Sequence, residues 1–317
     1  MDRILVALGG NAIQPAHDAG TWSEAIKQMR RTAPALAAVV AGGRELILTH
    51  GNGPQVGNIL REEELGAKEI PAPPMYVADA ESEGQIGFLI AQELSSALQR
   101  SRHPRVVLPV VSRMEVSPRD PAFRNPTKPV GGFYSARDAN RLRVANGWSM
   151  REDAERGGWR RLVPSPRPVR WLEGAAIRLA LDAGVGSGCV FVVSGGGGIP
   201  VVPGPRGSWK GVDAVIDKDH SAALVALQLR ASTLAIVTDV PGAAVGFGTS
   251  HQRWLGRTTR KELESYLKAG EFAEGSMRPK VGAVLDFLKG GGARAVITDI
   301  PSLGRALAGR AGTRVSG

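Results

Sequence analysis

Six short runs of β-branched and apolar residues recur along the chain, and each ends in residues that turn the backbone. Ile4–Leu8 leads into Gly9-Gly10, Glu45–Thr49 into the stretch HGNGP, and Val190–Ser194 into four consecutive glycines. Arg105–Val111 is another, and Thr233–Thr238 and Ala293–Thr298 end in DVPG and DIP. Their apolar character on both faces predicts strands of a buried parallel sheet. Between them lie segments of helical spacing: Trp22–Val40, Glu83–Gln99, Leu172–Asp182, Ser221–Leu229, Arg260–Ala269 and Val281–Lys289. Pro34 predicts a kink or a division in the first of these. The alternation predicts a three-layer α/β/α sandwich with a mainly parallel sheet and right-handed crossovers. Ligands of such sheets bind beyond the carboxyl ends of the strands, where several of the glycine-rich turns fall.

Residues 112–170 break the alternation. They are polar, charged and rich in proline, and too long for a plain connection in a compact domain. They predict a small inserted lid subdomain with some β-structure, within one domain spanning 1–317.

Composition excludes several functions. A single cysteine, Cys189, allows neither an intrachain disulfide nor a cysteine-based zinc site, and the five histidines lack metal-ligand spacing. No run approaches the roughly 20 apolar residues of a membrane span. The N-terminus enters a strand at once, which predicts no leader peptide and a cytoplasmic protein. The net charge of +10 comes from arginine spread along the chain, without a basic tail, and reads as a solvated surface rather than a nucleic-acid footprint. Only nine of the 40 basic residues are lysine. A lysine kept inside a glycine- or proline-framed motif points to a need for a compact charge rather than a planar fork. Lys128, Lys218 and Lys280 fit that description.

The loops supply backbone amides and lysines. LGGNA (8–12) and THGNGPQVG (49–57) are strand-end turns whose glycines let N–H groups approach an anion, although each alone is also an ordinary tight turn. SGGGGIPV (194–201) leaves room for a nucleotide or for another backbone. GVDAVIDKDHSAAL (211–224) places Asp217, Lys218 and Asp219 before a helix, with Asp219 a candidate cap. GSMRPK (275–280) puts Lys280 at the positive end of a helix, which is unfavourable for folding but useful for holding polyphosphate. There is no Ser-His-Asp order and no dinucleotide-binding GxGxxG after a strand. Backbone amides and lysines are the tools of phosphoryl transfer, which needs positioning and charge stabilisation.

Taken together, GGNA, HGNGPQVG, NPTKPVG, GGGGIPV, VDAVIDKD, TDV and GSMRPK resemble the carbamate kinases of the amino-acid-kinase fold, almost from end to end. The resemblance implies reversible phosphoryl transfer between ATP and carbamate, giving carbamoyl phosphate and ADP, in a homodimer. It implies a direction toward ATP synthesis in carbamoyl-phosphate catabolism, as in arginine metabolism. Magnesium would be held mainly by nucleotide phosphates and water, with no firm protein ligand. Gly10, Asn11, Gly51, Asn52 and Gly53 would hold the carbamate end. Gly9, Gly10, Lys218, Asp239, Val240, Met277 and Lys280 would hold the nucleotide. Lys128 would reach the transferring group from the lid, Lys218 would bridge the phosphates, and Asp217 and Asp219 would orient the lysines.

The chain departs from the family pattern in three places. Arg278 replaces a usual glycine, Gly246-Phe247-Gly248 replaces NFG, and ESEGQIGF stands where QGQIGY or similar is commoner. Many amino-acid kinases also carry a lysine just before the first glycine pair; here Ala7 precedes Leu8-Gly9-Gly10, so Lys128 is expected to supply that charge. The departures leave open a related kinase acting on another small carboxylate or carbamate, and a catalytically idle nucleotide-binding subunit.

Overall fold

A computed structural model describes residues 2–14, 20–153 and 157–317; the side chain of Asn11 and residues 154–156 of the insert lie outside that description. An eight-stranded sheet forms the centre. Six of its strands run parallel and side by side, in the order Arg294–Thr298, Thr233–Val237, Arg3–Leu8, Glu45–His50, Cys189–Val192 and Val106–Pro109. These are the six runs expected from the sequence. Thr313–Ser316 extends the sheet antiparallel to Arg294–Thr298, and Arg257–Thr259 pairs parallel with it at the edge. These two strands are short and carry arginine and threonine, so they lack the apolar signature of the central six.

The pleat sorts the strands into two cores. Leu5, Ala7, Ile47, Phe191, Leu234 and Ile236 pack with helices Lys218–Gln228 and Met277–Lys289 on one face. Ile4, Val6, Leu8, Leu46, Leu48 and Val192 pack with helices Trp22–Ala41 and Met75–Arg100 on the other. Successive residues of one strand therefore feed opposite cores, which is why the runs show no polar alternation.

Helix Trp22–Ala41 passes through Pro34 undivided. Pro34 is exposed, while Ala33, Leu36 and Ala37 on either side of it are buried against the sheet. Burial of that face outweighs the single backbone bond that proline removes. A capping box of Thr21 and Glu24 fixes the start of this helix. Helix Met75–Arg100 begins eight residues before the expected Glu83, directly after Pro74.

In the insert, strands Lys128–Tyr134, Gly158–Val163 and Ser149–Asp153 form a separate three-stranded sheet, with helix Ala136–Asn146. Flanking strands Arg113–Val116 and Pro168–Trp171 pair with each other, and Arg113–Val116 also pairs with Ile199–Pro203. Val130 and Val163 meet Val56, Ile59 and Leu60 of helix Gly53–Gly66 in a small third core. The closest approach is glycine on glycine: a Cβ at Gly57 would stand 2.9 Å from the Cα of Gly131. No helix among the described residues is long and apolar enough to cross a membrane.

Candidate active site

Parallel register brings the strand ends together. Leu8 aligns with His50, Ala7 with Ile236, and Leu48 with Val192. The turns at Gly9-Gly10, Gly51-Asn52, Gly195–Gly198 and Thr238–Val240 consequently share one edge of the sheet. Gly9 packs so closely on the neighbouring strand end that a Cβ would lie 2.8 Å from the Val237 carbonyl. Gly51 makes room for the stem of Lys218, 3.2 Å from where its Cβ would be. Gln55 Nε2 donates to Gln14 Oε1 at 2.7 Å and ties the first two loops together.

Two cavities meet over these turns. One, of about 400 Å³, is lined by Gly9, Thr238, Asp239, Val240, Ala244, Phe247, Phe272 and Met277. The other, of about 720 Å³, is lined by Gln14, Gly51, Asn52, Gly53, Lys128, Gly196, Asp217 and Asp219. Gly10, Lys218, Gly275, Ser276 and Lys280 line both. The first is apolar on one side, as a nucleobase requires; the second is a polar cleft under the inserted sheet.

The lysines converge at this junction. Asp219, 3% exposed, accepts from Lys218 at 2.5 Å on one carboxylate oxygen and from Lys280 at 3.2 Å on the other. Burial alone would raise its pKa, but the two ammonium groups and their hydrogen bonds hold it down to about 2. The helix cap is Asp217 rather than Asp219: Asp217 accepts from the N–H groups of Asp219 and His220 at 3.0 and 3.4 Å. Capping by Asp217 frees Asp219 to turn inward between the lysines. Lys280 thus has a partner that its place at the start of helix Met277–Lys289 does not reveal.

Lys128 enters from the insert. Its Nζ donates to the Ile216 carbonyl at 3.0 Å and stands 3.8 Å from Asp217. Burial lowers its pKa, while the charges of Asp217 and Asp219 oppose that shift. The same Ile216 carbonyl lies 2.7 Å from where a Cβ of Gly197 would be, and Ser221 Oγ donates to the Gly197 carbonyl at 2.7 Å. The glycine run therefore lets the backbone before the Lys218 helix pass close to the neighbouring strand end. Ser194, Gly196, Gly197 and Gly198 all take positive φ, so glycine is required conformationally at three of them.

Below the cleft lies a buried polar layer in which His50 and Glu83 belong to stretches already noted and Asp79 does not. His50 is buried and held neutral, its pKa lowered to about 4 chiefly by burial, and it pairs through Nδ1 with the Gly51 carbonyl at 3.0 Å. Asp79 accepts from Asn52 Nδ2 at 3.2 Å. Glu83, one helical turn on, accepts from the Ser112 N–H at 2.7 Å. Burial raises the pKa of both carboxyls well above the ordinary range. For Asp79 the hint in the sequence is its spacing of four from Glu83 on the helix face that meets the sheet.

The departures at Arg278 and Phe247 lie outside the polar cleft. Arg278 is exposed and lines neither cavity. Phe247 lines the apolar cavity and makes an edge contact with Trp254, their ring centroids 6.1 Å apart. Glu83 keeps the backbone contact an amide oxygen would make, because its carboxyl oxygen accepts from the Ser112 N–H in the same way.

Known proteins are similar over the whole chain. The model of the amino acid kinase family matches residues 2–299. A carbamate kinase of Pyrococcus horikoshii is 44% identical over 317 residues, covering 99% of each chain. A crystal structure from Aeropyrum pernix superposes with a TM-score of 0.93 at 40% identity, covering 99% of each chain. The carbamate kinase of Giardia lamblia bound to AMP-PNP superposes with a TM-score of 0.91 at 36% identity, covering 99% of this chain and 98% of that one.

Proposed function

Because the chain belongs to the amino acid kinase family, within its carbamate kinase branch, we propose that the paired cavities carry out reversible phosphoryl transfer between ATP and carbamate. The observation that carries this reading is the junction. An apolar cavity suited to a nucleobase and a polar cleft suited to a small anion share Gly10, Lys218 and Lys280, where a phosphoryl group would pass. Asp239, Val240 and Met277 hold the nucleotide, and Gly9 and Gly10 face its phosphates. Gly51, Asn52 and Gly53 hold the carbamate end, together with Asn11.

Carbamate already carries an anionic oxygen, so attack on the γ-phosphorus needs no general base. The obstacle is repulsion between two anions. Lys218 and Lys280 lie on the phosphate path, and Asp219 holds both in place. Lys128 brings a third cation from the acceptor side, while loop amides take the remaining oxygens. In the reverse direction the same charges stabilise the phosphoryl group as it leaves carbamoyl phosphate for ADP. Lys128 takes the place of the lysine missing from the first strand, where Ala7 is fully buried.

Magnesium fits as an ion carried by the nucleotide. No group of three or more metal-ligating side chains occurs among the described residues, and the nearest buried carboxylate, Asp219, is engaged by two lysines. When bound, the ion neutralises phosphate charge, with phosphate oxygens and water as its ligands.

Residues 112–170 act as an inserted lid in one domain of 1–317. The cleft is far larger than carbamate, and closing the insert would exclude water from so small an acceptor. The protein works in the cytoplasm, toward ATP. It pairs with a second copy through the free edge strand Val106–Pro109, where Val106 and Leu108, with Val111 and Phe88 nearby, are exposed. A panel of small carboxylates assayed by ADP release tests the acceptor. Carbamate should be the best; a better acceptor would favour the related-kinase reading, and ATP binding without turnover the idle subunit.

A further inference from the structure

Asp79 sits directly beneath the acceptor cleft on helix Met75–Arg100, 4% exposed. Its Oδ1 accepts from Asn52 Nδ2, and its own backbone carbonyl is held by Ser82 Oγ at 2.7 Å. Gly196 also closes on the amide: a Cβ there would stand 2.6 Å from Asn52 Nδ2. The nitrogen edge of Asn52 is thereby committed to the protein interior. An amide with its nitrogen committed presents its oxygen along the other branch of the same plane, about 120° away.

Packing does not explain Asp79. Burying a carboxyl is costly, and its Oδ2 has no hydrogen-bond partner among the described residues. An alanine or leucine at this point of the helix would avoid that cost. Asn52 lines the cleft beside Lys128, and Asp79 also lies within electrostatic reach of Lys128.

The chemistry of the acceptor supplies the reason. Carbamate differs from acetate in carrying an amino group where acetate has a methyl. Lysines and loop amides are donors, and they read carboxyl and phosphate oxygens. Reading an amino group takes an acceptor.

Resting on the carbamate kinase reading of this cleft, we propose that Asp79 is a positioning residue that turns the Asn52 amide oxygen onto the acceptor's amino group, selecting carbamoyl phosphate over acetyl phosphate. A site built to bond such a group rejects the analogue lacking it, because its own polar atom is then left unpaired.

The test measures ATP formation from ADP with carbamoyl phosphate and with acetyl phosphate, in the wild type, Asp79→Ala, Asp79→Asn and Asn52→Ala, alongside thermal melts. Asp79→Ala should lower kcat/KM for carbamoyl phosphate by about 10- to 100-fold, with little change for acetyl phosphate and an unchanged KM for ADP. Asp79→Asn keeps an acceptor toward Asn52 and should keep the selectivity. Asn52→Ala should lose it by a factor like that of Asp79→Ala, and it decides the matter if Asp79→Ala does not fold. Equal losses on both acyl phosphates, or selectivity unchanged in Asn52→Ala, would overturn the role of Asp79 alone. A wild type inactive on carbamoyl phosphate would overturn the underlying function as well.

Discussion

Asp219 and Lys280 meet at 3.2 Å across 61 residues of chain, and the second oxygen of the same carboxylate holds Lys218. One buried anion thus sets the spacing of two cations that would otherwise repel each other. Asp219→Asn should cost on the order of 3 kcal/mol of stability at neutral pH, because it leaves buried charge uncompensated. A folded pKa held below the unfolded one gives stability that is present above the unfolded value and lost as pH falls through the folded one. The difference in melting temperature between wild type and Asp219→Asn should therefore shrink from about pH 4 toward pH 2. A constant difference across that window would contradict the pairing.

Lys128 occupies a narrow place between the Ile216 carbonyl and Asp217, at the start of a strand next to Pro129. A guanidinium is wider and planar. Lys128→Arg should lower kcat by about 100-fold while leaving the KM for ADP unchanged, as expected for a misplaced charge. Full activity in steady-state assays would show that a compact ammonium is not required there.

Gly57 lets helix Gly53–Gly66 touch the inserted sheet at Gly131. Both partners at this contact are backbone, so an added methyl cannot be absorbed by a rotamer change. Gly57→Ala should raise the KM for carbamoyl phosphate several-fold and cost about 1–3 kcal/mol in chemical denaturation. Unaltered values in both measurements would mean the insert docks elsewhere during turnover.

Glu83 is buried with its pKa raised, so its folded form holds a proton more tightly than its unfolded form. Stability from such a group is complete below the unfolded pKa and is lost as pH rises through the folded one. Glu83→Gln should match the wild type at low pH and become the more stable protein as pH rises. Melting curves for the two that stay parallel up to alkaline pH would show that Glu83 does not titrate this way.

The central fold was legible because a strand buried on both faces must be apolar throughout. All six expected strands occupy the contiguous parallel part of the sheet. Arg257–Thr259 and Thr313–Ser316 were invisible because strands this short at the margin of the sheet carry no apolar run. Pro34 misled for a similar reason: local backbone chemistry says break, while tertiary burial on either side says continue. The lysines stood out through their glycine and proline frames. Asp219 was expected both to orient the lysines and to cap the helix, and only the second role passes to Asp217. Glu83 showed only as a departure from the family pattern and Asp79 gave no motif, because a buried acid on a helix becomes meaningful only when the loops above it are placed.

The most direct measurement is ATP formation from carbamoyl phosphate, ADP and magnesium by the purified protein, beside its Lys128→Ala variant. Rapid ATP synthesis by the wild type, reduced at least 100-fold in the variant, is the predicted result. Synthesis no greater than that of Lys128→Ala would contradict it.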